Sequence, residues 1–326
     1  MRTHPLSGSF LLLVMSFVLT GSKAASQQSG PAAFPLVTRV ITDKLGRHVT
    51  YHISRPDHAA PLLLMIQGSG CGSVLQGEGA ARYSTFYDLL PLAAEGRFAV
   101  MAVEKPFATA KASGGTAQGC DAAFNQDFTA ERWLVALRAA LDDAGRQPNV
   151  NPRRIVVLGG SEGAVMASLL AGRDRRITDV IAIGGSGTTQ LFDFIATAYG
   201  RCFDRSHCID DVEKQMAAIR AAPDSADQFA WGHPYRRWSS FFRVEPGDEL
   251  VRSRARVYLA FGTADISTPP MSQEVAVARL MAAGRDLTVR RVPDADHSLI
   301  APGEDFSALD REYRRALDWF WADWKP

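Results

Sequence analysis

Arg154-Ile-Val-Val-Leu158 runs into Gly159-Gly160-Ser161-Glu162-Gly163 and then into Ala164-Val-Met-Ala-Ser-Leu-Leu-Ala171. In order, these residues predict a buried strand, a tight turn and a helix. A short β-branched and apolar run, opened by Pro152 and closed by paired glycines, suits a strand covered on both faces of a parallel sheet. The small apolar residues after Glu162 keep helical spacing, and Gly172 is the predicted stop. The Gly-x-Ser-x-Gly between them matters for what its glycines permit. If the chain reverses within a few residues, the serine backbone is strained and a Cβ at either flanking position would strike main chain. Ser161 Oγ would then stand above the sheet at a helix N-terminus, where unpaired N–H groups favour developing negative charge.

Five residues of this kind also occur in ordinary glycine-rich loops, so the surrounding chain has to decide. Leu36–Thr42 and His48–Ser54 predict an antiparallel hairpin, followed by buried strands at Leu62–Ile66 and Phe98–Val103 with a helix-like segment at Tyr83–Ala94 between them. Glu104 to Asp127 lacks periodicity and predicts a surface loop. Thr129 is the expected N-cap of a helix reaching Ala144. Asp179–Gly184, Arg256–Phe261 and Leu287–Val292 complete the strands, and Pro269-Pro270 open a helix through Ala283. Phe306, Leu309, Tyr313, Leu317, Phe320 and Trp324 give the last helix an apolar face. Strands alternating with helices predict an α/β fold with a mainly parallel sheet flanked by helices.

Between two of these strands, residues 186–253 turn aromatic-rich, with Phe192, Phe194, Tyr199, Phe229, Trp231, Tyr235, Trp238, Phe241 and Phe242. This helical and aromatic insertion is the expected lid, and most of its rings should form the insertion's own small core.

With 326 residues and 46% hydrophobic content, the chain can bury one large core. Its formal charge of +1 falls to −1 without Arg2 and Lys23. Neither value points to nucleic acid or an anionic membrane. Arg2, the apolar run Phe10 to Thr20 and Ser22-Lys23-Ala24 predict a signal peptide over 1–24, since that run is too short to span about 30 Å of bilayer. Residues 25–35 read as a linker and 36–326 as one domain. A secreted or periplasmic protein without a stable membrane anchor follows.

Export makes the four cysteines candidates for disulfides, and three pairings are open. Cys71 with Cys120 would join two loops at one edge of the sheet, and Cys202 with Cys208 would close a small loop in the insertion. No zinc, P-loop or complete dinucleotide fingerprint is present, so neither metal nor cofactor is expected.

A serine hydroxyl needs a base within reach and a third group to orient that base. Asp265 and His297 each lie just past a predicted strand, on the edge where Ser161 emerges and where open α/β sheets bind ligands. Asp294 and Asp296 are rival acids, although residues beside the histidine in a short loop reach its far ring nitrogen with difficulty. His233, inside the insertion, is expected at the surface or in the pocket.

The order Ser161, Asp265, His297, carried by Asn151-Pro-Arg-Arg-Ile-Val-Val-Leu-Gly-Gly-Ser161-Glu-Gly163, Phe261-Gly-Thr-Ala-Asp265 with Pro269-Pro270, and Asp294-Ala-Asp-His297-Ser, resembles the α/β-hydrolase superfamily. The Ser-Glu-Gly form, the Gly68-Ser69-Gly70 turn and Tyr235-Arg-Arg-Trp238 look most like serine hydrolases near the dienelactone hydrolase and prolyl-oligopeptidase-like groups. The resemblance implies an α/β-hydrolase fold and a Ser161–His297–Asp265 triad working through an acyl-enzyme. It also implies an oxyanion hole made by the backbone N–H groups of Ser69 and Glu162.

The sequence departs from many relatives at Gly160 and Gln67, which with Trp231 and Trp238 are candidates for the substrate pocket. A Glu162 carboxylate pointing inward would oppose an oxyanion, so it is expected to face away and pair elsewhere. The activity implied is hydrolysis of a small carboxylic ester. Hydrolysis of a short peptide or other amide is the alternative, and a non-catalytic binding protein of the same fold is the rival from another class.

Overall fold

The computed structural model describes residues 35–78, 82–85, 89–110, 112, 114–117, 119–202 and 205–322. The predicted signal peptide and all of the linker but its last residue lie outside them, as does Trp324. The chain opens with β1 (Leu36–Thr42), β2 (His48–Ser54) and β3 (Ala60–Ile66), then a small ribbon of β4 (Leu75–Gln76) and β5 (Tyr83–Ser84). Next come α1 (Leu89–Glu95), β6 (Ala99–Val103), α2 (Ala122–Asp127), α3 (Ala130–Ala144), β7 (Val150–Gly160), α4 (Glu162–Arg173) and β8 (Ile177–Ile183). Between β8 and β11 lie α5 (Gln190–Arg201), α6 (Arg205–Ala221), β9 (Phe229–Ala230), β10 (His233–Pro234), α7 (Tyr235–Phe241) and α8 (Pro246–Arg252). Then β11 (Arg256–Gly262), α9 (Pro270–Ala282), β12 (Leu287–Val292) and α10 (Ser307–Ala322) close the fold.

Eight strands form one sheet in the order β1-β2-β6-β3-β7-β8-β11-β12. The hairpin β1–β2 pairs antiparallel to itself and to β6, and every pairing from β6 to β12 is parallel. Alternation along each strand divides its side chains between two cores. Leu62, Leu64 and Val157 join α3, α4 and α8 on one face, whereas Leu63, Met65 and Leu158 meet α1 and α10 on the other. Each such fully buried aliphatic side chain contributes about 1.5–3 kcal/mol. Thr129 caps α3 as its sequence predicts, accepting from the Arg132 N–H.

Several elements differ from expectation. β7 begins before Pro152, because pairing with β3 is irregular there and an imino acid without an N–H fits a bulge. The helix-like segment at Tyr83 starts instead as β5, and α1 begins at Leu89. The expected loop from Glu104 contains α2 and starts buried, at Glu104 and Lys105. Gly172 does not end α4. It lies inside the helix, where a Cβ would stand 2.8 Å from the Glu249 carbonyl of α8, so glycine serves a close helix crossing. Phe306 lies exposed ahead of α10, whose buried face is Ala308, Glu312, Ala316, Leu317 and Phe320.

Within residues 186–253, Tyr235, Trp238 and Phe242 form a separate cluster with Phe194 and Trp231 packed against it, while Phe241 joins the main core and Tyr199 and Phe229 are exposed. Cysteine pairing is Cys71–Cys120 and Cys202–Cys208.

At the turn from β7 to α4, a Cβ on Gly159 would lie 2.1 Å from the Gly163 carbonyl oxygen, and one on Gly163 would lie 2.1 Å from that of Ile66. Both obstacles are main chain and cannot swing aside. Gly163→Ala should therefore lower the unfolding free energy by about 3 kcal/mol or more. Gly200→Ala, in α5 with open space around it, should raise it by about 0.5–1 kcal/mol. Chemical denaturation of the two variants checks the opposite signs.

Candidate active site

Ser161 is the N-cap of α4 and has φ 56° and ψ −125°, a backbone conformation that side chains rarely adopt. Its N–H donates to the Ile183 carbonyl at 2.9 Å and its carbonyl accepts from Ala164 at 2.9 Å, so main-chain bonds on both sides hold the turn. The glycine requirement read from the sequence is met by backbone contacts at both flanking positions.

Asp265 and His297 follow the ends of β11 and β12. Their loops are zipped together by Ala264 N–H to the Ala295 carbonyl (2.9 Å) and Thr263 N–H to that of Val292 (3.0 Å). A Cβ on Gly262 would lie 2.2 Å from the Ala295 oxygen, so this approach too needs glycine. His297 Nδ1 lies 2.8 Å from Asp265 Oδ2. The other carboxylate oxygen accepts from the N–H groups of Ser267 (2.7 Å) and Thr268 (3.0 Å), and Thr268 Oγ1 lies 2.7 Å from Oδ2. Asp265 therefore organises its turn and orients the imidazole at once. Burial works against its charge, but His297 and Thr268 hold the carboxyl below the usual range. Asp296 bonds to Ser298 and Ile300 within its own loop, and neither it nor Asp294 bonds to the ring.

Ser161 and His297 line one cleft of about 390 Å³, together with Ser69, Asp193, Arg237 and Trp238. They share it without a direct hydrogen bond between them. Of the pocket candidates, Trp238 lines this cleft. Gln67 and Gly160 line an adjacent cavity of about 510 Å³ that meets the cleft at Ser69. Trp231 is not among the cleft's lining residues; it stacks on Phe194 at 4.2 Å and presents an edge to Trp238. The Ser69 N–H has no hydrogen-bond partner among the described residues, and Glu162 is the first residue of α4, whose N–H has no intrahelical acceptor.

The Glu162 side chain is buried and turned to a pair of cations. Its Oε1 accepts from Lys105 Nζ at 2.8 Å, and its Oε2 from Arg237 Nε at 3.1 Å and Nη2 at 2.5 Å. Burial alone would raise its pKa, yet Lys105, Arg237 and His233 bring the carboxyl down to about 2. The sequence expectation that Glu162 pairs elsewhere thus has named partners. His233 is buried rather than on the surface, edge-on to Trp238, and burial followed by Arg237 pushes it down to about 4. Asp193 lies buried in the cleft wall with Oδ2 bonded to Ser186, and burial pushes it up to about 6.

Lys105, Arg237, Asp193 and Thr268 were not singled out from sequence. Lys105 offered one signal, an acid-base pair directly after a fully apolar strand, but its partner lies 57 residues away. Thr268 sits three residues after Asp265, the spacing of a side-chain-capped turn.

Replacing Glu162 by Gln leaves two buried cations without their counter-charge and should cost about 3–5 kcal/mol at neutral pH. A carboxyl lowered from 4.5 to about 2 on folding stabilises fully above the higher value and loses that contribution as pH falls toward the lower. The gap between wild type and Glu162→Gln should accordingly narrow below about pH 4.5, measured by denaturant unfolding across that range. A gap of constant size would refute the ionised assignment.

No protein-family model matches the chain, and no curated protein matches it in sequence. Solved structures do. Pyrococcus horikoshii acylaminoacyl peptidase is 13% identical, with a TM-score of 0.61 over 88% of this chain and 41% of that one. A Mycobacterium tuberculosis puromycin-hydrolyzing peptidase is 15% identical, with a TM-score of 0.56 over 90% and 40%. A Klebsiella pneumoniae protein described as a dienelactone hydrolase is 17% identical, with a TM-score of 0.56 over 89% and 99%. The chain spans 35–41% of the length of the first peptidases it matches. Taken with the strand order and the helices on both faces of the sheet, these likenesses show that the chain has the α/β-hydrolase fold.

Proposed function

We propose that the protein is an exported serine hydrolase that cleaves a small carboxylic ester through an acyl-enzyme. The observation that carries this reading is the His297 Nδ1 to Asp265 Oδ2 bond beside a cleft that Ser161 also lines. With Nδ1–H donated to Asp265, Nε2 is the bare nitrogen and can take a proton. Ser161 Oγ attacks the ester carbonyl carbon while His297 removes its proton. The N–H groups of Ser69 and Glu162 receive the oxyanion, and the C–O bond breaks as His297 returns the proton to the departing alcohol. Water, deprotonated by the same imidazole, then releases the acid and restores Ser161.

The volume of the cleft suits a small ligand. Residues 186–253 contribute Asp193, Phe194, Arg237 and Trp238 to it, in keeping with a lid. Two disulfides support an oxidising compartment. Among the described residues no helix is long and apolar enough to cross a membrane.

The same groups serve an amide bond, and the likeness to peptidases makes amide hydrolysis the second reading. A series of p-nitrophenyl esters beside aminoacyl-amide substrates separates the two, and the ester series should be turned over faster.

A fluorophosphonate probe should label wild type and leave Ser161→Ala unlabelled. Unlabelled wild type would favour a binding protein of the same fold. Ser161→Ala should lose about 10⁴–10⁶ in kcat, and Asp265→Asn about 10³–10⁴, because the asparagine favours the wrong imidazole tautomer.

A further inference from the structure

Lys105 follows β6 at the carboxyl edge of the sheet, and none of its side chain reaches solvent. Its Nζ donates to three acceptors: the Gly68 carbonyl at 2.7 Å, the Gly70 carbonyl at 2.9 Å and Glu162 Oε1 at 2.8 Å. An ammonium has three N–H groups and no lone pair, so the site occupies it fully. The Phe128 ring, 4.5 Å from Nζ, packs beside it. A guanidinium could not replace it, since three acceptors converge on one point.

The two carbonyls bracket Ser69. No cis peptide occurs among the described residues, and in a trans peptide the C=O of one residue and the N–H of the next lie in one plane and point in opposite directions. Drawing the Gly68 oxygen toward the buried ammonium therefore turns the Ser69 N–H the other way. A cation on that oxygen also polarises the peptide and strengthens its N–H as a donor. The loop lies against the nucleophile, with a Cβ on Gly68 falling 3.7 Å from Ser161 Cβ. The third N–H of Lys105 holds Glu162, whose own backbone N–H is the other proposed donor.

Gly68, Gly70 and Gly72 would otherwise leave this turn pliant. The Cys71–Cys120 disulfide secures the loop beyond Ser69, and Lys105 secures the Gly68–Ser69 and Gly70–Cys71 peptides.

We propose that Lys105 is a positioning residue that aims the Ser69 N–H, and ties it to that of Glu162, so that both are preset for the oxyanion. This inference rests on the serine-hydrolase reading above. It assigns Lys105 no contact with substrate.

The test is Lys105→Met, which keeps the length of the side chain and leaves Glu162 paired with Arg237. Rates are normalised to the sites counted by complete fluorophosphonate labelling, so that a misfolded fraction does not enter. For an ester substrate, kcat should fall about 10²–10³-fold, as for loss of one oxyanion donor, with KM changed less than about threefold. Affinity for a boronic acid that forms a tetrahedral adduct should fall in parallel, while affinity for an unreactive substrate amide should hold.

Unchanged kcat and boronate affinity would overturn the proposal. So would an equal loss of boronate and amide binding, which marks a merely structural role. If Lys105→Met does not fold, Lys105→Gln, with two N–H donors and no charge, should show the same split to a smaller degree, and wild-type kinetics there would overturn the proposal. Wild type that neither labels nor turns over ester would instead defeat the hydrolase reading itself.

Discussion

The chain reverses from strand to helix at a single residue, Ser161, and much of the molecule is arranged to hold that reversal. The turn brings the start of α4 so close to the end of β3 that only hydrogen fits at Gly163, and so close to itself that only hydrogen fits at Gly159. Strain at a positive φ persists only where surrounding structure over-determines it. Here the Ile183 carbonyl, the helix's own first bonds and the β3 backbone do so. The hydroxyl is thereby held at a helix N-terminus on the edge of the sheet where the following strands also end.

A second constraint lies beneath the first. A buried carboxylate between two buried cations is costly to desolvate, and an apolar trio of similar volume is often equally stable or more so. The geometry gives this cluster a use besides stability. It joins the end of β6, the start of α4 and helix α7 through one side chain, Glu162, at the residue after Ser161. The Gly68–Gly70 turn is bound into the same cluster through Lys105. Four segments distant in sequence thus share one charge balance next to the cleft.

Much of the architecture was legible without coordinates. The hairpin β1–β2, the N-cap of α3, the strand-turn-helix at Ser161 and the Asp265 and His297 strand ends are local patterns, and period-2 or period-3.6 spacing with glycine at tight turns reads them directly. A local signal misleads where its cause is tertiary. Gly172 looks like a helix stop but is small because Glu249 crosses it, and Pro152 looks like a strand boundary but occupies a bulge. Phe306 fits the apolar spacing of α10, yet the chain before that helix leaves the ring in solvent.

The sequence by itself determined an α/β sheet, a strained serine at its edge, and which aspartate and histidine follow strands on that edge. These depend on short-range sterics and on the order of elements. Only the tertiary structure decided that Asp265 meets His297 at 2.8 Å, that Trp238 lines the cleft while Gln67 and Gly160 line its neighbour, and that Glu162 turns to Lys105 and Arg237. Those pairings join residues 32, 57 and 75 positions apart. No periodicity encodes them, because a buried charge finds its partner through packing, and packing is set by the whole fold.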